Sequence, residues 1–274
     1  MRILCTVLIL ASWLGRAAAQ DPSGSLSGEV LHGEYSAARA MELLYGDFAA
    51  DSMSAAWTPR HGVELNPQWP DTIRVRVLKE DSYVDAGIPR HVLVTWARPD
   101  EEGAGQYSCH TCGVLLGVAV FRKFAGGWKV ESSNLEMARA GAWGRPPQIW
   151  LQRLGDHVWG IAAVMTGMQM GQMEQSLSIY GPASGGFSEW YKTQLVDDNK
   201  FGEFPQDDWC KARAGGIDVM CVWRQIDYSM EAEQGKPIYD LVRTRRKPTG
   251  CKRDVLRFDG RQFVKQPQQL AVKR

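Results

Sequence analysis

Apolar residues Ala37, Ala40, Met41, Leu44 and Phe48 recur at three- and four-residue intervals, a spacing that places them on one face of an α-helix. Ser36 stands where an N-cap would be, and Tyr35 before it is placed as a hydrophobic staple. The pattern predicts a helix of about three to four turns beginning after Ser36. In Ile73-Arg74-Val75-Arg76-Val77 the period drops to two, the mark of a strand with one wet face. From there the chain reads as short strands punctuated by glycine, including 91–97, 114–124, 148–154, 158–165 and 177–180. Helical periodicity does not return.

One arrangement recurs. Phe121 is followed by Gly126-Gly127-Trp128, Tyr180 by Gly185-Gly186-Phe187, and Phe258 by Asp259-Gly260 and Phe263. Each reads as a strand ending near an aromatic, a turn whose glycines accept positive φ, and an aromatic starting the return strand. The first two copies lie 59 residues apart, and the third keeps the spacing loosely. The expected fold class is mainly β, an antiparallel meander of short strands behind an N-terminal helical segment, with degenerate blade-like repeats as a further option. Residues 140–147, with two glycines and two prolines around Trp143, cannot be a central strand and are expected to form a loop plugged by the tryptophan. The polar stretch 197–208 is the place for any subdivision of a single β-rich domain over 29–274.

Residues 1–19 combine Arg2, an apolar run over 3–14 and Ala17-Ala18-Ala19, the order of a secretory signal peptide with cleavage expected before Gln20. The apolar run is short for a membrane span, and Ser/Gly-rich 20–28 reads as a mobile lead. Thirty-two Lys and Arg stand against 31 Asp and Glu, so no global field recruits nucleic acid. Locally, residues 243–274 carry eleven Lys and Arg against Asp254 and Asp259. The expectation is a solvated strand face balanced by acidic loops such as Asp207-Asp208; the alternative is contact with an anionic surface.

An exported chain permits disulfides. Cys109-His110-Thr111-Cys112 is a C-x-x-C followed by strand-like sequence instead of the helix that stabilises a thiolate in redox proteins. A structural staple is the ordinary reading, with a redox pair or soft-metal ligation as alternatives. Cys210 and Cys221 flank Gly215-Gly216 at hairpin spacing and suit a second bridge, which leaves Cys251 over. Met165, Met168, Met170 and Met173 fall within nine residues; thioethers favour Cu(I), yet methionine also fills gaps in cores. With Cys109, His110 and Cys112 they make the candidate metal set. Trp57, Trp69, Trp96, Trp128, Trp143, Trp150, Trp159, Trp190, Trp209 and Trp223 follow the leader, and any of them exposed on a β face could stack on sugar rings. There is no H-E-x-x-H, P-loop, dinucleotide fingerprint or nucleophile elbow, so no catalytic residue is nominated and no cofactor is expected.

The set Cys109-His110-x-Cys112-Gly113, Phe121 to Trp128 with its Gly-Gly turn, Trp143-Gly144-x-Pro146-Pro147 and Phe258-Asp259-Gly260-x-x-Phe263-Val264 resembles a family of exported bacterial proteins with no assigned activity. The resemblance covers roughly the C-terminal two-thirds of the chain after the leader and excludes the methionine cluster. It implies a periplasmic, β-rich protein and transfers no activity. The leading expectation is therefore a secreted or periplasmic non-catalytic binding or structural protein, with an envelope component or protein as partner. Thiol–disulfide or copper handling and glycan binding are the alternatives.

Overall fold

The computed structural model describes residues 26–60, 71–99, 112–169, 172–184, 186–198, 223–233, 235–247 and 250–266. Among the described residues the chain forms one helix and two antiparallel sheets in meander order. The first sheet holds β1 (Val30–His32), β2 (Phe48–Ala49), β3 (Ser54–Trp57), β4 (Ile73–Asp85), β5 (Ile88–Arg98), β6 (Val114–Phe124) and β7 (Gly127–Ala140), in the order β1-β7-β6-β5-β4-β3-β2. The second runs from β8 (Gln148–Arg153) through β9 (Trp159–Gln169), β10 (Gln172–Ala183), β11 (Gly186–Asp198), β12 (Trp223–Glu231), β13 (Asp240–Lys247) and β14 (Gly250–Phe258) to β15 (Phe263–Lys265), each strand beside the next. The expected antiparallel meander with a small helix is what forms. Its strands gather into sheets of seven and eight, not into four-stranded blades.

The helix α1 (Ala37–Tyr45) starts where the sequence places it: Ser36 is extended and its Oγ accepts from Arg39 N at 3.3 Å. It stops sooner than expected, after nine residues, about two and a half turns. Gly46 takes φ +69 and donates its N–H to Glu42 O at 2.9 Å, which ends the helix, and Phe48 passes into β2. Met41 and Leu44 pack on Ile73, Val75, Leu93 and Phe121, so α1 covers one face of the first sheet. Tyr45 Oη lies 2.6 Å from Thr95 Oγ1 directly over Gly117, where a Cβ would come within 2.7 Å of both oxygens.

The other face of the first sheet meets the second sheet. Val92, Val94, Val118 and Val120 pack on Ile161, Ala163, Tyr180 and Phe187. Covered on both sides, β6 is buried over eight successive residues, Val114 to Phe121, the pattern of a strand with no wet face. Clasps at the rim join the layers: Asn134 Nδ2 donates to Phe187 O at 3.0 Å, and His157 Nδ1 lies 2.6 Å from Asp85 Oδ1. Arg90 reaches Asp85 at 3.2 Å and Glu131 at 2.7 Å.

The second sheet curls around a core of its own, made of Leu154, Ala162, Leu177, Ile179, Leu241 and Leu256. Trp150 of β8 stacks with Tyr228 of β12 at 6.4 Å, and Tyr239 N donates to Leu154 O at 2.8 Å. Such contacts between strands far apart in the sheet order require it to roll.

All three glycine-marked hairpins form. Phe124 faces Gly127, Ala183 faces Gly186 and Phe258 faces Phe263. The first two also share a bulge three residues before the turn, at Val120/Phe121 and at Ile179/Tyr180. The 59-residue repeat is thus a repeat of one bulged hairpin.

Candidate functional site

β7 ends at Ala140, and the next residues fold back on themselves. Ala142 and Arg145 bridge, with Arg145 N donating to Ala142 O at 2.9 Å. The two residues between them, Trp143 and Gly144, take φ +57 and +64, as a two-residue hairpin turn with positive φ at both centres requires. Gly144 suits that conformation. Trp143 does not: a bulky side chain at positive φ is a backbone outlier held by its surroundings. Pro146 and Pro147 then stop further pairing.

Three bonds hold the turn down. Gly144 N donates to Cys112 O at 2.7 Å, Arg98 donates to Gly144 O at 3.4 Å, and Gly141 N donates to Met165 Sδ at 2.9 Å. Gly141 is obligatory here, because a Cβ would lie 2.0 Å from Arg145 O. Trp143 corrects the sequence expectation. It is 48% exposed, more than a plug of the loop would be. Arg98 also stands with Arg76 against the Trp96 ring, each guanidinium 5.5 Å from the ring centre.

Next to the turn lies an open cleft of about 580 Å³, within the size range of small-ligand sites. Gly141 and Ala142 form one wall; β9 contributes Met165, Thr166 and Gly167, β10 Glu174, Gln175 and Ser176, and β11 Lys192, Thr193 and Gln194. Register explains the gathering: Met165 pairs with Ser176, Thr166 with Gln175, and Ser176 with Gln194. Gln175 Nε2 donates to Thr166 Oγ1 at 3.2 Å. The lining is therefore amides, hydroxyls, one carboxylate and one ammonium around a thioether. Such a surface hydrogen-bonds a polar ligand in both senses.

The residues nominated from sequence fall unevenly around this place. Cys109, His110, Met170, Cys210 and Cys221 lie outside the described residues, as do Trp69 and Trp209. Cys112 is buried and disulfide-bonded, and its backbone anchors the Trp143 turn. Cys251, the expected odd one out, is free and exposed. Met165 packs against Val114, Leu116 and Ala140 while its sulfur accepts the Gly141 N–H. Met168 and Met173 are cross-strand partners in the β9–β10 hairpin. Among the described residues, no group of three or more His, Cys, Asp or Glu could hold a metal ion. Trp128 and Trp190 are buried, whereas Trp57, Trp96, Trp150 and Trp159 are half-buried.

Sequence reasoning missed Thr166, Glu174, Gln175, Ser176, Lys192, Thr193 and Gln194, the polar residues of the cleft. A signal was present. Lys192-Thr193-Gln194 is an unbroken polar run inside a strand whose neighbours alternate, so both faces of β11 are polar there. Comparison with models of protein families, with curated proteins and with solved structures finds no match for this chain.

Proposed function

We propose that the chain is an exported, non-catalytic binding protein whose cleft beside Trp143 takes a polar, hydroxyl-rich ligand, a saccharide of the cell envelope. The observation that carries this reading is the cleft's lining of amides and hydroxyls, walled by Gly141 and Ala142 of the turn that bears the partly exposed Trp143. An indole gives a sugar ring a large apolar contact at low entropic cost, and amides and hydroxyls satisfy sugar hydroxyls as donors and acceptors. The order of residues 1–19 supports export to a compartment where such ligands occur.

Calorimetry with N-acetylglucosamine oligomers, peptidoglycan fragments and neutral hexose oligomers tests the reading. Saturable binding of one class is expected, weakened about tenfold or more by Trp143→Ala, with the saccharide recovered intact. Absence of binding across the panel, or cleavage of the bound sugar, would overturn it.

A second reading draws on the gathering of Cys112 and Met165 at one turn. If the bridge at Cys112 is opened by reduction, its thiolate and the Met165 thioether are two soft donors bordering this turn, of the kind that suits Cu(I). Anaerobic Cu(I) titration of the reduced protein against a competing chelator tests this. Binding no stronger in the reduced than in the oxidised protein removes it.

A further inference from the structure

Away from the cleft, Asp254 of β14 is buried with its side chain 1% exposed, and it gathers three cations. Arg243 reaches its carboxylate at 3.1 Å, Arg245 at 2.9 Å and Lys265 at 2.8 Å. Register accounts for the grouping. Arg243 is the cross-strand partner of Asp254, Arg245 lies two residues along β13, and Lys265 faces Leu256 from β15, so all four share the face that also carries Leu241 and Leu256. Arg243 also donates to Tyr191 Oη at 3.5 Å.

The charges do not balance. Three positive groups meet one carboxylate, and the neighbouring carboxylates are engaged elsewhere: Glu231 by Arg253, Asp240 by Lys236 and Arg257, and Asp259 by the backbone of its own turn. Among the described residues, the Nε atoms of Arg243 and Arg245 are buried and meet no acceptor. Both side chains remain reachable, at 20% and 32% exposure, with Lys265 at 43%. Partly desolvated like charges repel one another strongly. An added anion at the exposed ends of these side chains relieves the repulsion.

We propose that Arg243, Arg245 and Lys265 form a binding site for a phosphate group, free or carried as an ester. Two guanidinium forks and an ammonium match phosphate oxygens geometrically. A phosphate monoester carries a charge of about −1.5 to −2 near neutral pH, close to the surplus of two that Asp254 leaves. A single carboxylate would leave one cation unbalanced. The site is independent of the saccharide cleft, so either can fail without the other.

The test is ³¹P NMR titration of the protein, prepared in phosphate-free buffer at constant ionic strength, with inorganic phosphate and with glycerol phosphate. Co-sedimentation with phosphatidic acid vesicles, against phosphatidylcholine vesicles, forms the lipid arm. Saturable binding in at least one arm is expected, and the arm identifies the carrier. Arg245→Gln and Lys265→Gln should each weaken it about tenfold or more, Arg245→Lys should restore part of it, and Arg253→Gln on the outer face should leave it unchanged. Unchanged thermal unfolding of Arg245→Gln separates lost binding from lost fold; should that variant unfold, Lys265→Gln carries the comparison. No saturable binding in any arm, or equal affinity in the wild type and both glutamine variants, overturns the proposal.

Discussion

Two side chains hold the energetics of this protein in opposite ways. Trp143 sits at φ +57, where an L side chain meets its own backbone at a cost of about 1–2 kcal/mol. Trp143→Gly is expected to raise stability by about 1 kcal/mol in chemical denaturation while weakening saccharide binding about tenfold or more; lower stability together with unchanged binding would show that the indole is structural. Asp254 is the reverse case. Burial by itself would raise its carboxyl, but hydrogen bonds from Lys265 and Arg243 and the charge of Arg245 outweigh it and hold the group at about 2, below the usual 3.8. Because the folded value is the lower one, this stabilisation is present above pH 3.8 and is lost as pH falls towards 2. It amounts to about 2 kcal/mol. Asp254→Asn should remove that acid dependence and cost about 3 kcal/mol at neutral pH by leaving the cations uncompensated. An unaltered acid limb in the variant would contradict the assignment.

Hairpins are the elements that carry the fold, and their glycines were the most legible feature of the sequence. Gly186 takes φ +133, and a Cβ there would lie 2.4 Å from Ser133 O of the other sheet. Gly186→Ala should therefore cost about 3 kcal/mol and loosen the contact between sheets, read as a fall in thermal midpoint. A neutral effect would mean that the turn adapts freely. What the sequence concealed has equally local causes. The β4–β5 hairpin turns at Ala86-Gly87 with φ +49 and +76, and alanine at positive φ sends no turn signal. The polar run Lys79-Glu80-Asp81 hid the middle of β4, which bulges between Val77 and Lys79, so the alternation read over 73–77 changes register partway. The helix ended early because Gly46 caps it, although Phe48 continues the apolar spacing.

On the scale of the whole molecule, α1, the first sheet and the rolled second sheet form successive layers with separate cores. Period-two patterning assigns a strand to a sheet, but it does not say which sheet covers which. The eight-residue buried run of β6 was the one hint that a strand lies between two layers. The cleft follows from this layering: the end of β7 turns back over β9, β10 and β11, and polar residues occupy the face left open beside it. Its chemistry was barely legible, because Gln175, Ser176, Lys192, Thr193 and Gln194 belong to no motif and meet only through register. Cys112 and Met165, singled out for sulfur chemistry, turn out to anchor the wall of that cleft.

Amide hydrogen exchange with and without a peptidoglycan-derived oligosaccharide addresses the central claim most directly. Added protection is predicted over 141–145, 165–167, 174–176 and 192–194, with the edge strands β1, β2 and β15 unchanged. Protection confined to other segments, or identical exchange in the two samples, would contradict a saccharide site beside the Trp143 turn.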